Sequence, residues 1–452
     1  MQNLLNDTIK KYRHLCDHME IRIEESRASS IFLGTDSPVI KDSIETGCNI
    51  RVLVKGSYGF TYFNDLNLMD EFAGLAIEDA KKPGRGHTVL APVLPVIDIV
   101  KSGINMKDIS KSDKIKILQN YNHIILNYDR EKIKKSLITY LEEFRKKYFA
   151  SSEGTYIEEE LLDVNYKIGA IAAENGKTGS GAFVGGSTGD FSILYGLEEK
   201  VEKACRDAIV QLDGEIIKGG VYTVLCDQEF SGVFAHEAFG HNCEADCLTN
   251  EDTKKEMATG RIIGNKILNV YDTPYPGARG YMKYDDEGVE TKKVYLIKEG
   301  VLAGKLHTRE TAAMFNEEPA GSARAINYRF PPICRMRTTC IEAGKSTFSD
   351  MIKDIKKGVY VSGNEGGRSG ETFIASPRYA YIIRNGEIAE PVKGVKITGN
   401  IFKTLQNIDM IGQDFQIVDT IFGCAKNGQY FLPVSKGAPH IRIQDVTIGG
   451  TI

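Results

Sequence analysis

The chain has 452 residues, of which 26% are charged and 42% hydrophobic, with a formal net charge of -4. That length can bury large cores and fits two or three domains, and the near-balanced charge sets up no overall field to draw in DNA or RNA, so no nucleic-acid partner is expected. Nine cysteines, an odd number scattered along the chain, argue for reduced thiols rather than a disulfide framework.

Residues 1–19 carry Leu4, Leu5, Ile9, Tyr12 and Cys16 at helical spacing among polar residues, unlike the continuous apolar core of a secretory signal. The most apolar stretch, residues 89–100, is short and broken by Pro92 and Pro95, so nothing spans a bilayer; no membrane partner and a cytoplasmic location are expected. Next, Glu20-Ile21-Arg22-Ile23-Glu24 alternates polar with apolar as a strand does. Asn49-Ile50-Arg51-Val52-Leu53-Val54 runs through Lys55-Gly56-Ser57 into Tyr58, Phe60 and Tyr62, the pattern of a hairpin. Asp65 caps a helix reaching about Ala80, and Lys82-Pro83-Gly84-Arg85-Gly86 closes the unit ahead of a Pro-rich connector.

The apolar positions Ile115, Ile117, Leu118, Ile124, Ile133, Leu137, Leu141 and Phe144 predict two helices over residues 112–148, broken near residues 127–129, with strands resuming at Phe149. Residues 151–155 read as a turn between strands. Residues 175–190 are glycine-rich and Gly176-Lys177-Thr178 imitates the end of a Walker A motif, but Ile171 stands where its first glycine is required, which argues against nucleotide binding. A helix follows near residues 198–212. From Ile267 the chain turns towards β, with hairpins at residues 292–306 and around Asn385-Gly386. The fold class is thus α+β. An N-terminal α+β domain with a mixed or antiparallel sheet spans residues 1–218, its sub-parts 1–86 and 110–218 joined by the connector. A C-terminal, mainly β domain over residues 219–452 carries the motif helix.

That motif is His236-Glu237-Ala238-Phe239-Gly240-His241. Two imidazoles and a carboxylate suit a metal ion and the water it activates, as in the H-E-x-x-H zinc peptidases, where the histidines stand four apart on one helix face. Here they stand five apart, and a five-residue step swings roughly 140° around an α-helix against roughly 40° for four residues. The helix must therefore end or bulge: Gly240 invites a break through positive φ just before His241, and a π-bulge is the other route. Upstream, residues 220–226 read as a buried strand, and Asp227 as the N-cap of a helix carrying Phe230, Val233 and Phe234 inward. A closed four-ligand site using Cys243 and Cys247 with both histidines is a competing reading, which leaves Glu237 idle. A chance His-Glu pair on a buried helix is another.

Several ordered blocks resemble the TldD/PmbA family, also known as modulators of DNA gyrase and understood as zinc-dependent peptidases. They are Asn49 to Val54 with Gly59-Phe60, the His236 to His241 motif with Glu244 and Asp246, and Asp285-Asp286-Glu287-Gly288. Further blocks are Tyr328-Arg329-Phe330-Pro331-Pro332-Ile333, Pro391-Val392-Lys393-Gly394 and Gly423-Cys424-Ala425-Lys426-Asn427-Gly428-Gln429. The intact motif resembles the metal-bearing TldD-type subunit rather than its PmbA (TldE)-type partner. The resemblance implies Zn2+ held by His236, His241 and Cys424, Glu237 as general base, unfolded or flexible peptides as substrate, and a homodimer or a heterodimer with a PmbA (TldE)-type subunit. The group that steadies the oxyanion stays open, with His307, His440 and several tyrosines as candidates. The alternatives are a regulatory, non-catalytic binding subunit with structural zinc, and a zinc amidase acting on another carbonyl.

Overall fold

The computed structural model describes residues 1–34, 38–82, 87–103, 109–189, 191–368 and 372–449. Helix α1 (Gln2–Tyr12) leads into β1 (His18–Leu33), which pairs antiparallel with β2 (Val39–Val54). Lys55 and Gly56, both at positive φ, turn β2 into β3 (Ser57–Phe63), as a two-residue hairpin demands. Asp65 accepts a hydrogen bond from the Asn67 amide at 3.0 Å and opens a short 3₁₀ turn that runs into α2 (Met69–Ala80). The expected close of this unit falls largely on residues 83–86, outside the described residues. The Pro-rich connector is itself built in, because it carries the short strand β4 (Ile97–Val100).

The two helices expected over residues 112–148 are one helix and one strand. Helix α3 (Lys111–Tyr128) starts on the Ser110 side chain, and β5 (Ile133–Ser151) follows after a turn at Asp129. The apolar spacing of Ile133, Leu137, Leu141 and Phe144 suits a helix. However, β5 pairs with β1 on one side and β6 (Tyr156–Glu174) on the other along nearly its whole length, and those ladders outweigh the local pattern. Ile138 and Tyr140 are buried while Leu137 stays 44% exposed, the alternation of a strand. Beyond β6 the glycine-rich run turns at Asn175 and Gly176 into β7 (Lys177–Ser187). Its glycines admit α4 (Glu198–Val210): a Cβ on Gly181 would stand 1.9 Å from the Ala204 carbonyl oxygen.

These strands form one sheet in the order β3-β2-β1-β5-β6, with β4 and β7 sharing the far edge of β6. Its apolar face, with Ile21, Ile23, Ile138 and Tyr140, is covered by α1 and α2 at one end and α3 and α4 at the other. The rest of the chain builds a six-stranded and a ten-stranded sheet besides two short hairpins, and α5 (Gln228–Phe234) packs between the two larger of these against the strands Lys357–Ser362, Thr338–Ile341 and Ser435–Ala438. The expected hairpins are present, turning at Glu299-Gly300 and Asn385-Gly386.

One end of the polar face of the first sheet is shut off from water. Glu20, Arg22 and Glu24 on β1, Arg51 on β2 and Lys147 on β5 are all buried against the acidic turn Asp285-Asp286-Glu287. Arg51 reaches Glu20 at 2.7 Å and Glu287 at 2.6 Å, Lys147 reaches Asp286 at 2.6 Å, and the Asn49 amide donates to the Tyr328 carbonyl at 2.8 Å. Burial works against the Asp286 carboxylate, but Lys147 and Arg22 outweigh it and hold its pKa well below the usual range. Buried ions cost several kcal/mol unless paired, so this network fixes how the two halves of the chain dock. Replacing Asp286 with Ala strands Lys147 in the interior and leaves Arg22 with Glu24 as its one carboxylate partner. The unfolding free energy is then expected to fall by about 3–5 kcal/mol in a denaturant titration; a loss below about 1 kcal/mol, the scale of an exposed pair, would show that the docking does not depend on it.

Candidate metal centre

The strand Gly220–Cys226 ends at Asp227, whose Oδ1 accepts from the Phe230 amide at 2.7 Å and so starts α5. Its Oδ2 takes the Ser362 hydroxyl at 2.6 Å and the Gly363 amide at 3.0 Å, pinning the helix start to the neighbouring strand. Phe230, Val233 and Phe234 are buried, with Phe234 edge-on to Phe373 at 5.2 Å. Past Phe234 the backbone widens into a single π-turn, Ala235–Phe239, in which the Gly240 amide reaches back five residues to the Ala235 carbonyl. A 3₁₀ turn, Gly240–Cys243, follows.

Of the two routes open in the sequence, the bulge is therefore the one taken. Gly240 sits at φ -55° in helical conformation, so it does not adopt positive φ; it caps the π-turn, and His241 stands just past it in the 3₁₀ turn. Its need for glycine is steric: a Cβ there would lie 2.1 Å from the sulfur of buried Met336. The extra residue in the turn brings the rings of His236 and His241 to 5.1 Å between centroids.

Cys424 arrives from a different sheet. It begins the strand Cys424–Lys426, which turns at Asn427 and Gly428, both at positive φ, and returns as Gln429–Leu432. The Cys424 sulfur lies 3.3 Å from His236 Nε2 and 3.4 Å from His241 Nε2, and all three donor atoms fall within 4.8 Å of one another. Zinc–nitrogen bonds of about 2.0–2.1 Å and a zinc–sulfur bond of about 2.3 Å at a tetrahedral angle put such donors roughly 3.5 Å apart. The set fits a zinc ion. Among the described residues it is the one cluster of metal-donor side chains, and neither Cys243, sunk in the apolar core, nor exposed Cys247 belongs to it.

A ring of charges holds the donors. His241 Nδ1 meets Glu244 Oε2 at 2.9 Å, the carboxylate–imidazole contact that fixes the orientation of a metal-binding histidine. Fully buried Glu244 is shared with Lys426 at 3.0 Å, and Lys426 also reaches Asp246 at 2.5 Å, so the cysteine hairpin is clamped onto the motif segment. Gln429 bridges the Ile326 amide and the Pro331 carbonyl. Burial disfavours a charged ring at His241, but the Cys424 sulfur and the Glu244 carboxylate outweigh it and push its pKa up to about 11. Burial would raise the Cys424 thiol, yet the His241 hydrogen bond and charge bring it below the ordinary value. The other eight cysteines all shift upwards, mainly through burial. Cys424 is thus singled out by its surroundings as the sulfur poised to be a thiolate.

Glu237 is half-buried beside His236, and its Cγ stands 3.4 Å from where Gly367 would carry a Cβ. His307 and His440 are engaged elsewhere: His307 lies between Thr311 and Glu317, and His440 between Asp414 and Tyr360. Residues that the sequence reading left without a role are Glu244 and Lys426. Glu244 lies three residues after His241, the spacing that lets a carboxylate reach the ring, and that spacing was a usable signal.

Family models described as PmbA/TldA metallopeptidase domain 1, central domain and C-terminal domain match residues 19–82, 104–212 and 219–450. A metalloprotease of Synechocystis sp. is 37% identical, covering 99% of this chain and 97% of its own length. The zinc metalloprotease TldD homolog of Saccharolobus solfataricus is 31% identical over 98% of this chain and 99% of its own. The crystal structure of TldE from Thermococcus kodakarensis superposes with a TM-score of 0.83 at 18% identity, covering 99% of this chain and all of that one, and so shares the fold.

In metal-free protein, the depressed Cys424 pKa means that thiolate absorbance persists as pH falls below the ordinary thiol value of 9.0. Cys424→Ser is expected to abolish that component, and His241→Ala to move its midpoint upwards, because burial is then opposed by Arg335 alone. An unmoved midpoint in His241→Ala would show that the ring does not hold the thiolate.

Proposed function

Because this chain belongs to the PmbA/TldD metallopeptidase family, we propose that it is a TldD-type zinc-dependent peptidase in which His236, His241 and Cys424 hold the ion and Glu237 is the general base. The observation that carries this reading is the convergence of two ring nitrogens and one sulfur from segments 183 or more residues apart, with no fourth protein donor among the described residues. Structural zinc sites close their shell with four protein ligands, whereas catalytic ones use three and keep a position for water or substrate. That tells against a regulatory subunit with structural zinc.

When bound, zinc supplies a Lewis acid that polarises the peptide carbonyl and makes water acidic enough to attack at neutral pH. The Glu237 carboxylate takes the proton of the attacking water and later returns it to the amide nitrogen as the amine leaves. Beside it runs the strand Gly366–Arg368, at the end of its sheet and paired on one side with Thr372–Ser376, with no second partner strand among the described residues. A flexible peptide adds to that free edge as one more strand, which brings a peptide bond past Glu237 and excludes folded proteins. The protein acts as a dimer, either with itself or with a PmbA (TldE)-type subunit; the shared fold with TldE supports this pairing.

The test is zinc content and cleavage of an unstructured peptide by wild type, Glu237→Gln and Cys424→Ser. Glu237→Gln is expected to keep stoichiometric zinc and its melting temperature while kcat/KM drops by about 10²–10⁴-fold, and Cys424→Ser to lose metal and activity together. Undiminished cleavage by Glu237→Gln would remove Glu237 as the base. Stoichiometric zinc without cleavage of any peptide, alone or with a PmbA-type partner, would leave the regulatory reading.

A further inference from the structure

Buried cations in this molecule almost all have an anion. Arg337 pairs with Asp272, Arg309 with Glu153, Arg279 with Asp163, Arg51 with Glu20 and Glu287, and Lys426 with Glu244 and Asp246. Among the described residues three buried cations have no ion pair: Arg324, which donates to the Met336 and Pro433 carbonyls, and Arg335 and Lys436, which adjoin the metal centre.

Arg335 is wholly buried, yet it makes a single hydrogen bond, from Nη2 to the Cys424 carbonyl at 2.9 Å; its Nε and Nη1 have no partner. Lys436 is 3% exposed and has neither a hydrogen bond nor an ion pair among the described residues. Its position follows from strand alternation. In the strand Ser435–Ala438, the Ser435 hydroxyl turns to Asp419 and the Arg279 amide, so Lys436 projects from the opposite face, the one on which α5 lies. There its Cβ stands 3.0 Å from where Gly232 would carry a Cβ, and His236 follows Gly232 by one helical turn. Glycine at 232 lets the lysine stem pass under the motif helix towards the centre. After burial itself, the charges of Lys436 and Arg335 are among the causes that hold the His236 pKa down, and the Lys436 ammonium in turn lies within the field of Glu237 and Cys424.

Unmade donors on a buried cation are costly, and they persist where a ligand supplies the acceptors. The Cys424 sulfur does not fill that role, because Arg335 donates to the Cys424 carbonyl instead and Lys436 makes no hydrogen bond to it among the described residues. Resting on the peptidase reading above, we propose that Arg335 and Lys436 form an anion subsite that holds a carboxylate of the peptide next to the bond being cut. That carboxylate is either the free C-terminus or an Asp or Glu side chain. Arg335 offers planar paired donors and Lys436 a point charge, the two forms of carboxylate recognition that side chains provide.

The experiment uses full-length, zinc-loaded protein and one unstructured peptide in matched forms: free C-terminus against C-terminal amide, and Glu against Gln beside the cleaved bond. Wild type is expected to prefer the carboxylate form of at least one pair by about 10-fold or more in kcat/KM, and the pair that shows the preference identifies the source. Lys436→Met is expected to bring that ratio close to one, and Lys436→Arg to retain most of it. A second readout needs neither metal nor turnover: metal-free wild type should bind the carboxylate peptide more tightly than its neutral twin in calorimetry, and Lys436→Met should bind both alike. Equal treatment of both pairs by wild type in cleavage and in binding would overturn the subsite. So would an equal loss on charged and neutral peptides in Lys436→Met, the mark of a general structural or oxyanion role. Failure of wild type to cleave any peptide, alone or with a PmbA-type partner, would sink the peptidase reading, and the calorimetry would still decide the subsite.

Discussion

Two imidazoles five residues apart can face one point only if the helix that carries them takes an extra residue into one turn. The π-turn at Ala235–Phe239 is therefore the constraint on which the centre rests. A single widened turn is less well bonded than an α-helical one, so its surroundings must hold it. Asp227 anchors the start of the helix, Phe230, Phe234 and Phe239 are buried along it, and Gly240 yields the space that Met336 fills. Each of these acts on the distance between His236 and His241 without touching a metal ion.

The remote cysteine depends on a second constraint, which is ionic. Lys426 ties the hairpin of Cys424 to Glu244 and Asp246, and Glu244 in turn orients His241, so one buried network sets both the position of the sulfur and the direction of a ring. The same physics operates where the halves of the chain meet, through Arg51, Lys147, Asp286 and Glu287. Buried ions tolerate little misplacement because a displaced partner leaves an uncompensated charge. They therefore specify geometry more strictly than the apolar contacts beside them. Against that background the unpaired donors of Arg335 and Lys436 gain their meaning.

Much of this could be read from residue order. The hairpin at Lys55-Gly56, the Asp65 and Asp227 caps, the strand before the motif helix and the turns at Glu299-Gly300 and Asn385-Gly386 all rest on local chemistry, and local chemistry decided them. Up to residue 148 the segment after the Asp129 turn has the pattern of a helix, because Ile133, Leu137, Leu141 and Phe144 fit a helical face, while pairing with β1 and β6, far away in sequence, sets the outcome. Alternation in Glu20 to Glu24 indicated a strand but not that its polar face would be buried against Asp285 to Glu287. At the centre, the five-residue gap announced a distortion and left its kind open. The choice of Cys424 among nine cysteines came from family resemblance, because only the folded chain sets His241 beside it and depresses its thiol. Arg335 and Lys436 carry no sequence signal at all, since a missing partner is visible only in three dimensions.

The proposed chemistry stands or falls with one zinc ion gripped by two histidines and a cysteine. X-ray absorption at the zinc edge of the purified, zinc-loaded protein reads that shell directly. Two nitrogen scatterers at about 2.0–2.1 Å, one sulfur at about 2.3 Å and a further light atom from solvent are expected, with the sulfur lost in Cys424→Ser. A shell without sulfur, or one with two sulfurs that survives the substitution, would contradict it.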